Sequence, residues 1–460
     1  MSRGRLELET LESQVADGSI ETVITAIPDL YGRLVGKRIL GSFFLEEIAR
    51  GGMHACDYLL ACDMEMDPTP GYAFTSWETG YGDMHAVPDL GTLRRAAWLD
   101  RTAVVLCDCF DEHSGEPISV APRNILRRQL ERAAAVGVEP FMASELEFYL
   151  FDDSYAEARG KGYRELALSE GYNEDYHVLA GTFAEPVIGA IRRGVDASGI
   201  PVEFSKGEAS PGQHEINLRY ASALEMADRH VLYKGAAKEI VAQQGRSITF
   251  MAKWHPEHCG NSMHVHMSLR NREGSPLIEG SEPLPGSPVQ SSETFRFAVG
   301  GLLKNASALA LLFAPTVNSY KRYREGSFAP TRIAWSYDNR TVGYRVVGHG
   351  SSLRIECRLP GGDANPYLVY AGLIAAALDG IECRVEPGPL FRGDAYAAEG
   401  LPRVPQSLSE SIEHFTSSAV LREAFGADVV EHLVHFARAE QSVFDRAVTD
   451  FEKARYFERT

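Results

Sequence analysis

Apolar and polar positions alternate along the chain with two periods, and the switch between them marks the elements. Residues 8 to 18 carry a helical period. ETVITAIPDLYGRLVGKRIL then predicts a strand, a turn at Asp29–Gly32 and a second strand, and TAVVLCDCF over 102–110 predicts another. RNILRRQLERAAAVG over 123–137 predicts an amphipathic helix closed by a glycine. Strands and helices alternate after it: PFMASELEFYLF, a helix over 183–199, PVEFSKGE, EINLRY, a helix over 221–245, ITFMAKW and HVHMSLR. Residues 271–291 are rich in Gly, Ser and Pro and predict an exposed loop. A long helix over 295–313, a strand at LRIECRLP and a buried helix at NPYLVYAGLIAAALDGI complete the pattern.

Several of these strands place ionisable residues at period two, where i and i+2 share a face. Glu145 and Glu147 share one face, and His264 and His266 share another. Arg354, Glu356 and Arg358 form a basic–acidic–basic row. Glu208 and Glu215 flank a Pro-Gly turn. In one curved sheet these polar faces converge, while Leu146, Val265, Ile355 and Cys357 pack against helices. Converging carboxylates repel unless cations neutralise them. Five glutamates and a histidine suit Mg²⁺ or Mn²⁺. The arginines would meet phosphate or carboxylate anions. Any one such strand taken alone also fits a half-solvated sheet edge. The joint pattern, flanked by strongly apolar residues, points to a metal and anion site.

Bulk properties narrow the partners. A net charge of −17 and a pI near 5.3 exclude a nucleic-acid surface, which needs basic patches. The length of 460 residues points to two domains or one large one with an appendage. Seven cysteines, an odd number without zinc-like spacing, fit a reducing cytoplasm better than a disulfide framework. The N-terminus lacks an apolar signal-type core, and the apolar stretch around Ala308–Val317 is far short of a membrane span. No membrane role is expected. Gly32 to Lys37 has too short a spacing for a P-loop, Gly80-Tyr81-Gly82 lacks a third glycine, and no Gly-x-Ser-x-Gly elbow occurs.

From about residue 20 to 385 the chain is similar to glutamine synthetase. The resemblance rests on SELEFYLF, EASPGQHEINL, FMAKW, GNSMHVHMSL, APTVNSYKR, NRTVGYRV and RIECRLPGGDANPYL. It implies an α+β fold, with a β-grasp-like N-terminal domain over 1–115. A glutamine synthetase-type catalytic domain with a curved antiparallel sheet and helices would follow over 116–460. It implies a homo-oligomer, a dodecamer of two stacked hexameric rings with each site between neighbours. The implied chemistry is activation of glutamate by ATP as γ-glutamyl phosphate, which an amine then attacks.

Carried across by motif, Glu147, Glu208 and Glu215 resemble one metal set, and Glu145, His264 and Glu356 the other. His266, Arg340, Arg345 and Arg354 match ATP-phosphate or phosphoryl-transfer positions. Arg322, Arg358 and Gly260 match glutamate-binding positions.

The departures set the choice of amine. Ammonia-using members carry a Gly-Tyr-Glu-Ala-Pro flap whose Glu helps deprotonate ammonium. Here the flap reads Gly326-Ser327-Phe328-Ala329-Pro330, and a phenyl ring takes no proton. The family's Asn-Gly-Ser-Gly motif reads Cys259-Gly260-Asn261-Ser262. Asp57 loosely resembles an acid that a neighbour's N-terminal domain supplies to the amine pocket, and Asp83 in Gly82-Asp83-Met84 fits a second pocket acid more convincingly. The acidic run Asp63, Glu65, Asp67 fits a solvated loop or a cationic rim. These changes resemble the γ-glutamyl-amine ligases, which use ethanolamine-like monoamines or polyamines. Two other readings stay open: glutamine synthesis from ammonium with another base, and an inactive regulatory or scaffold paralogue.

Overall fold

The computed structural model describes residues 4–460. A first helix, α1 (Leu8–Ala16), precedes a hairpin of β1 (Thr22–Pro28) and β2 (Leu34–Leu40). Asp29 makes the hairpin's turn by accepting the amides of Tyr31 and Arg33 on its Oδ1. With β3 (Met53–Cys56), β4 (Asp83–Pro88) and β5 (Thr102–Asp111) they form a mixed sheet in the order β2-β1-β5-β4-β3. Here β1 and β5 run parallel, while β1–β2 and β3–β4 are antiparallel. The short strand Arg94–Arg95 also pairs with β5.

A nine-stranded sheet dominates the rest. Its main strands are β6 (Glu139–Phe151), β7 (Val202–Gly207), β8 (Gln213–Leu218), β9 (Ser247–Thr249) and β10 (Met263–Arg270). Later in the chain come β11 (Trp335–Tyr337), β12 (Tyr344–Val347) and β13 (Arg354–Cys357). The path runs β11-β12-β13-β10-β6-β8-β7, with β9 pairing off it to β6. All but one of these pairs are antiparallel. The exception corrects the expected antiparallel sheet: β11 and β12 run parallel. Asp338, at φ +48°, opens a loop that returns the chain to the level of Trp335 before Tyr344 begins.

Helices α2 (Pro122–Ala135), α3 (Val178–Ala197), α4 (Ala223–Gln243), α5 (Glu293–Phe313) and α6 (Pro366–Glu382) accompany this sheet. On β6, Met142, Leu146 and Phe148 are fully buried on its apolar face, and Ser144 on that face hydrogen-bonds His230 of α4 at 2.8 Å. The α5 helix has the length and hydropathy of a membrane span, but 78% of that window is buried inside the protein, which makes it a core helix. The segment 271–291 is less open than expected, because Ile278 and Leu284 are buried and a two-residue strand pair forms. ITFMAKW shortens to a three-residue strand. Beyond α6 the chain adds four helices, Leu408–Ser417, Ala419–Phe425, Ala427–Arg446 and Asp450–Tyr456, which the strand-centred pattern does not single out. All seven cysteines are free thiols.

One hydrophobic core runs through both sheets. Buried Arg123 of α2 ties them together: it pairs with Asp89 and Asp108 on the first sheet's side, and with Asp228 of α4 at 2.9 Å. Asn365 does similar work. Its Nδ2 donates to the carbonyls of Asp29 and Leu30 at 3.0 Å each, and its Oδ1 caps α6 by accepting from Tyr367 N. Asn365→Ala removes a cap and leaves two buried carbonyls short of a donor, a loss of about 2 kcal/mol. Urea unfolding should show a lower midpoint with an unchanged slope.

Candidate active site

Strand register brings the scattered polar residues together. In one row, Arg345 of β12 faces Glu356 of β13, which faces His266 of β10. In the next, His264 faces Glu145 of β6, which faces Asn217 of β8. In a third, Glu147 faces Glu215, which faces Lys206 of β7. All of these but Glu356, which is buried behind Arg345 and Arg358, line one cavity of about 440 Å³, together with Glu208, Gly260, Arg322, Phe328, Arg340, Arg354 and Arg358. Asp57 and Asp83 do not line it. Asp83 begins β4 and Asp57 follows the end of β3; the Asp57 carboxylate accepts from Thr75 Oγ1 at 2.5 Å, and burial pushes its pKa up. The Asp63–Asp67 run also lies elsewhere. Asp63 accepts the amides of Glu65 and Asp67, which makes it a self-capped turn.

Ligand atoms of Glu145, His264 and Glu356 lie within 4.8 Å of one another, and so do those of Glu147, Glu215 and His264. His264 Nδ1 approaches Glu145 Oε2 at 3.2 Å and Glu356 Oε1 at 3.7 Å. The His266 tautomer follows from its partners. Arg354 Nε donates to Nδ1 at 3.1 Å, so Nε2 carries the hydrogen that reaches Glu145 Oε1 at 2.8 Å. Glu356 pairs with Arg358 at 2.6 Å and Arg345 at 2.8 Å. Burial works against its charge, but Arg358, then His264 and His266, hold its carboxyl down to about 2. Burial likewise opposes charge on Glu145, yet its two histidines hold it well below the usual range.

The other acids behave in the opposite way. Burial and the charges of Glu145, Glu208 and Glu147 push Glu215 well above its ordinary value. Burial and Glu147 push Glu208 up to about 7, against the pull of Lys206. Carboxylates crowded in this way could share cations, and oxygen-rich donors with one imidazole fit Mg²⁺ or Mn²⁺. A divalent ion held by Glu208 and Glu215 would compete with protons for them. Both are raised, so they hold protons at low pH and release them as pH rises. Divalent-ion affinity should therefore fall on acidification below about 7, by up to about tenfold per pH unit for each proton displaced. Calorimetric Mn²⁺ titrations at pH 6 and pH 8 would measure it; equal affinities would contradict it.

Sequence reasoning missed two participants. Lys206 Nζ pairs with Glu208 at 2.5 Å and Asp175 at 3.3 Å, and lies 4.4 Å from the Tyr176 ring centre. It thus draws Glu208 aside from Glu147 and Glu215. Its period-two spacing from Glu208 was the available signal. Gln213 Nε2 reaches Glu147 Oε2 at 3.3 Å and Gly260 O at 3.1 Å, so it helps set both. The Ser262 amide also donates to Glu147 Oε2, at 2.7 Å.

Buried Arg322 is held by the carbonyls of Leu359 and Arg358. Gly260 lies flat against it: a Cβ there would meet Ala252 O at 2.5 Å and Arg322 Cγ at 2.6 Å. Asn261, buried, spends its amide on the carbonyls of Thr249 and Met251. Phe328 stands 62% exposed at the cavity mouth, in left-handed backbone at φ +63°. That conformation is strained for a bulky residue.

The sheet and its donors define a class: a cavity whose carboxylates and histidines could hold divalent cations, with arginines around it. The chain belongs to the glutamine synthetase family, because residues 119–456 match the family model for the glutamine synthetase catalytic domain. It is 47% identical to the gamma-glutamylethanolamide synthetase GlnA4 of Streptomyces coelicolor, over 99% of this chain and 96% of that one. It is 35% identical to a glutamate–isopropylamine ligase of a Pseudomonas species, over 96% and 95%. A solved complex of GmaS with ADP has a similar fold, with a TM-score of 0.84 and 28% identity over 97% of this chain and 99% of that one.

Proposed function

We propose that the chain is an ATP-dependent ligase that joins the γ-carboxylate of glutamate to an organic primary amine. Glutamate, ATP and amine give a γ-glutamyl amide, ADP and phosphate through a γ-glutamyl phosphate. The observation that carries the reading is Phe328. It stands at the cavity mouth in place of an acid, where it can pack against the carbon body of an amine but cannot take a proton. The two relatives named above, both acting on organic amines by name, support it.

In this reading Glu145, His264 and Glu356 hold one divalent ion, and Glu147, Glu208 and Glu215 hold another. Bound Mg²⁺ or Mn²⁺ would offset the charge that develops on the transferred phosphoryl group. Arg340, Arg345, Arg354 and His266 face the ATP phosphates, while Arg322, Arg358 and Gly260 position glutamate. A second cavity of about 390 Å³ shares Glu145, His266 and Arg354 with the first and is walled by Phe141 and Tyr220, which suits a nucleotide base. Asp57 and Asp83 would serve the amine pocket of a neighbouring copy. The assembly would be a dodecamer of two stacked hexameric rings in the cytoplasm. Residues 1–115 would be its β-grasp-like domain and 116–460 its catalytic domain.

Phosphate release from glutamate and Mg-ATP across a panel of amines, ammonium included, tests the proposal. Turnover should be fastest with an organic amine. Ammonium outpacing every organic amine would make the chain a glutamine synthetase. No turnover with any amine in an assembled protein would leave the paralogue reading.

A further inference from the structure

A second cluster of ligand-type residues lies apart from the cavity. His214 sits between Gln213 and Glu215 on β8, so its side chain points to the face away from the cavity that its neighbours line. There it meets Glu170 and Glu174, on the segment between β6 and α3. The side chains of His214, Glu170 and Glu174 are 2%, 4% and 0% exposed. One ligand atom from each falls within 4.8 Å of the other two.

We infer that Glu170, Glu174 and His214 form a further divalent-cation site, structural in role, whose mixed imidazole and carboxylate donors suit a first-row ion such as zinc. His214 Nε2 lies 3.5 Å from Glu170 Oε2 and 3.8 Å from Glu174 Oε2. Those gaps are long for hydrogen bonds. They are close to the edge of a coordination tetrahedron, about 3.3 Å for bonds of about 2.0 Å. Both His214 Nε2 and Glu174 Oε2 are buried without a hydrogen-bond partner. A buried unpaired polar atom is costly, and here two of them aim at a common point.

The surroundings orient the ligands as outer-shell partners of a metal do. The Gly212 amide donates to Glu174 Oε1 at 2.9 Å, and the Ser169 hydroxyl donates to Glu170 Oε2. Two carboxylates brought together away from water cannot both stay charged without a proton or a cation between them. Burial and the charge of Glu170 accordingly push Glu174 up to about 8. The site has a use. Glu174 immediately precedes Asp175 and Tyr176, which line the cavity mouth, so an ion here would pin that segment to the strand carrying Glu215. Gly207 helps the segment seat, since a Cβ there would come within 2.6 Å of Glu174 Cβ.

The test uses the full chain dialysed against micromolar zinc in excess millimolar Mg²⁺, followed by elemental analysis. One zinc per subunit should remain, and Glu174→Gln and His214→Gln should each lose it. No zinc retained by the unsubstituted chain, or undiminished zinc in either variant, overturns the inference. Should a variant fail to fold, diffraction from the unsubstituted protein at the zinc edge decides. A peak bonded to His214, Glu170 and Glu174 supports the site, and zinc confined to Glu145, His264 and Glu356 refutes it. This outcome is independent of which amine, if any, the chain ligates.

Discussion

Alanine at Glu356 is expected to lower ATP-dependent amide formation by about 10³-fold, the scale seen when one group stabilising transition-state charge is removed. Glu356 is 1% exposed and contacts Arg345, Arg358 and His264 at once. Removing it would take one oxygen ligand from the proposed cation set and free two arginines to pair with other acids in the cavity. It also leaves Arg358 buried without its carboxylate, a loss of about 3–5 kcal/mol in stability. Glutamine at 356 separates the two effects. It keeps the shape and some hydrogen bonding to the arginines, so the melting temperature should drop less, while activity stays low because the anionic ligand is gone. Steady-state phosphate release and thermal unfolding on both variants provide the measurements. A loss under about tenfold in Glu356→Ala would take Glu356 out of the cation set and place its role with the arginines alone.

The site's composition was legible in the chain because period two is rigid. Once Glu145 and Glu147 share a face, so must His264 and His266, and the antiparallel register carries each row across the sheet. The grouping of the donors was less legible. Which acid meets which cation depends on cross-strand register and on side chains that reach in from a neighbouring strand. Lys206 is the example: it faces Glu215 across the β7–β8 pair and turns Glu208 aside. The parallel β11–β12 pair escaped for a related reason, since its direction is set by a loop beginning at Asp338 and not by any alternation. The four C-terminal helices escaped because they carry packing, not chemistry. His432, for example, serves by reaching the carbonyl of Leu60 at 2.8 Å, a contact that no local pattern encodes. The His214 cluster was hidden for the opposite reason. His214 belongs to the same motif as Glu215, but alternation sends it to the other face, where its partners come from a segment without regular period.

Substituting glutamate for Phe328 should raise the ratio of ammonium use to organic-amine use by about 10²-fold, the lower range for a positioned general base. Phe328 lies in the same mouth as Asp175, Tyr176 and Glu208, so a carboxylate there joins an acidic rim able to draw in a small cation and accept its proton. The backbone cost is shared, because φ +63° strains glutamate as it strains phenylalanine, and fold stability should change little. Against an organic amine, the same change replaces an apolar wall with a solvated charge, and the carbon body loses its contact. Alanine at 328 isolates that second term. It should weaken organic-amine use by about 1–2 kcal/mol in kcat/KM without any gain for ammonium. Glutamate and ATP constants should hold steady in both variants, since neither substrate is expected to reach this flap residue. A Phe328→Glu enzyme whose ammonium-to-amine ratio does not move would shift the choice of amine away from the flap. The candidates left would then be the acids Asp57 and Asp83, which lie outside this chain's own cavity and would have to reach it from a second copy.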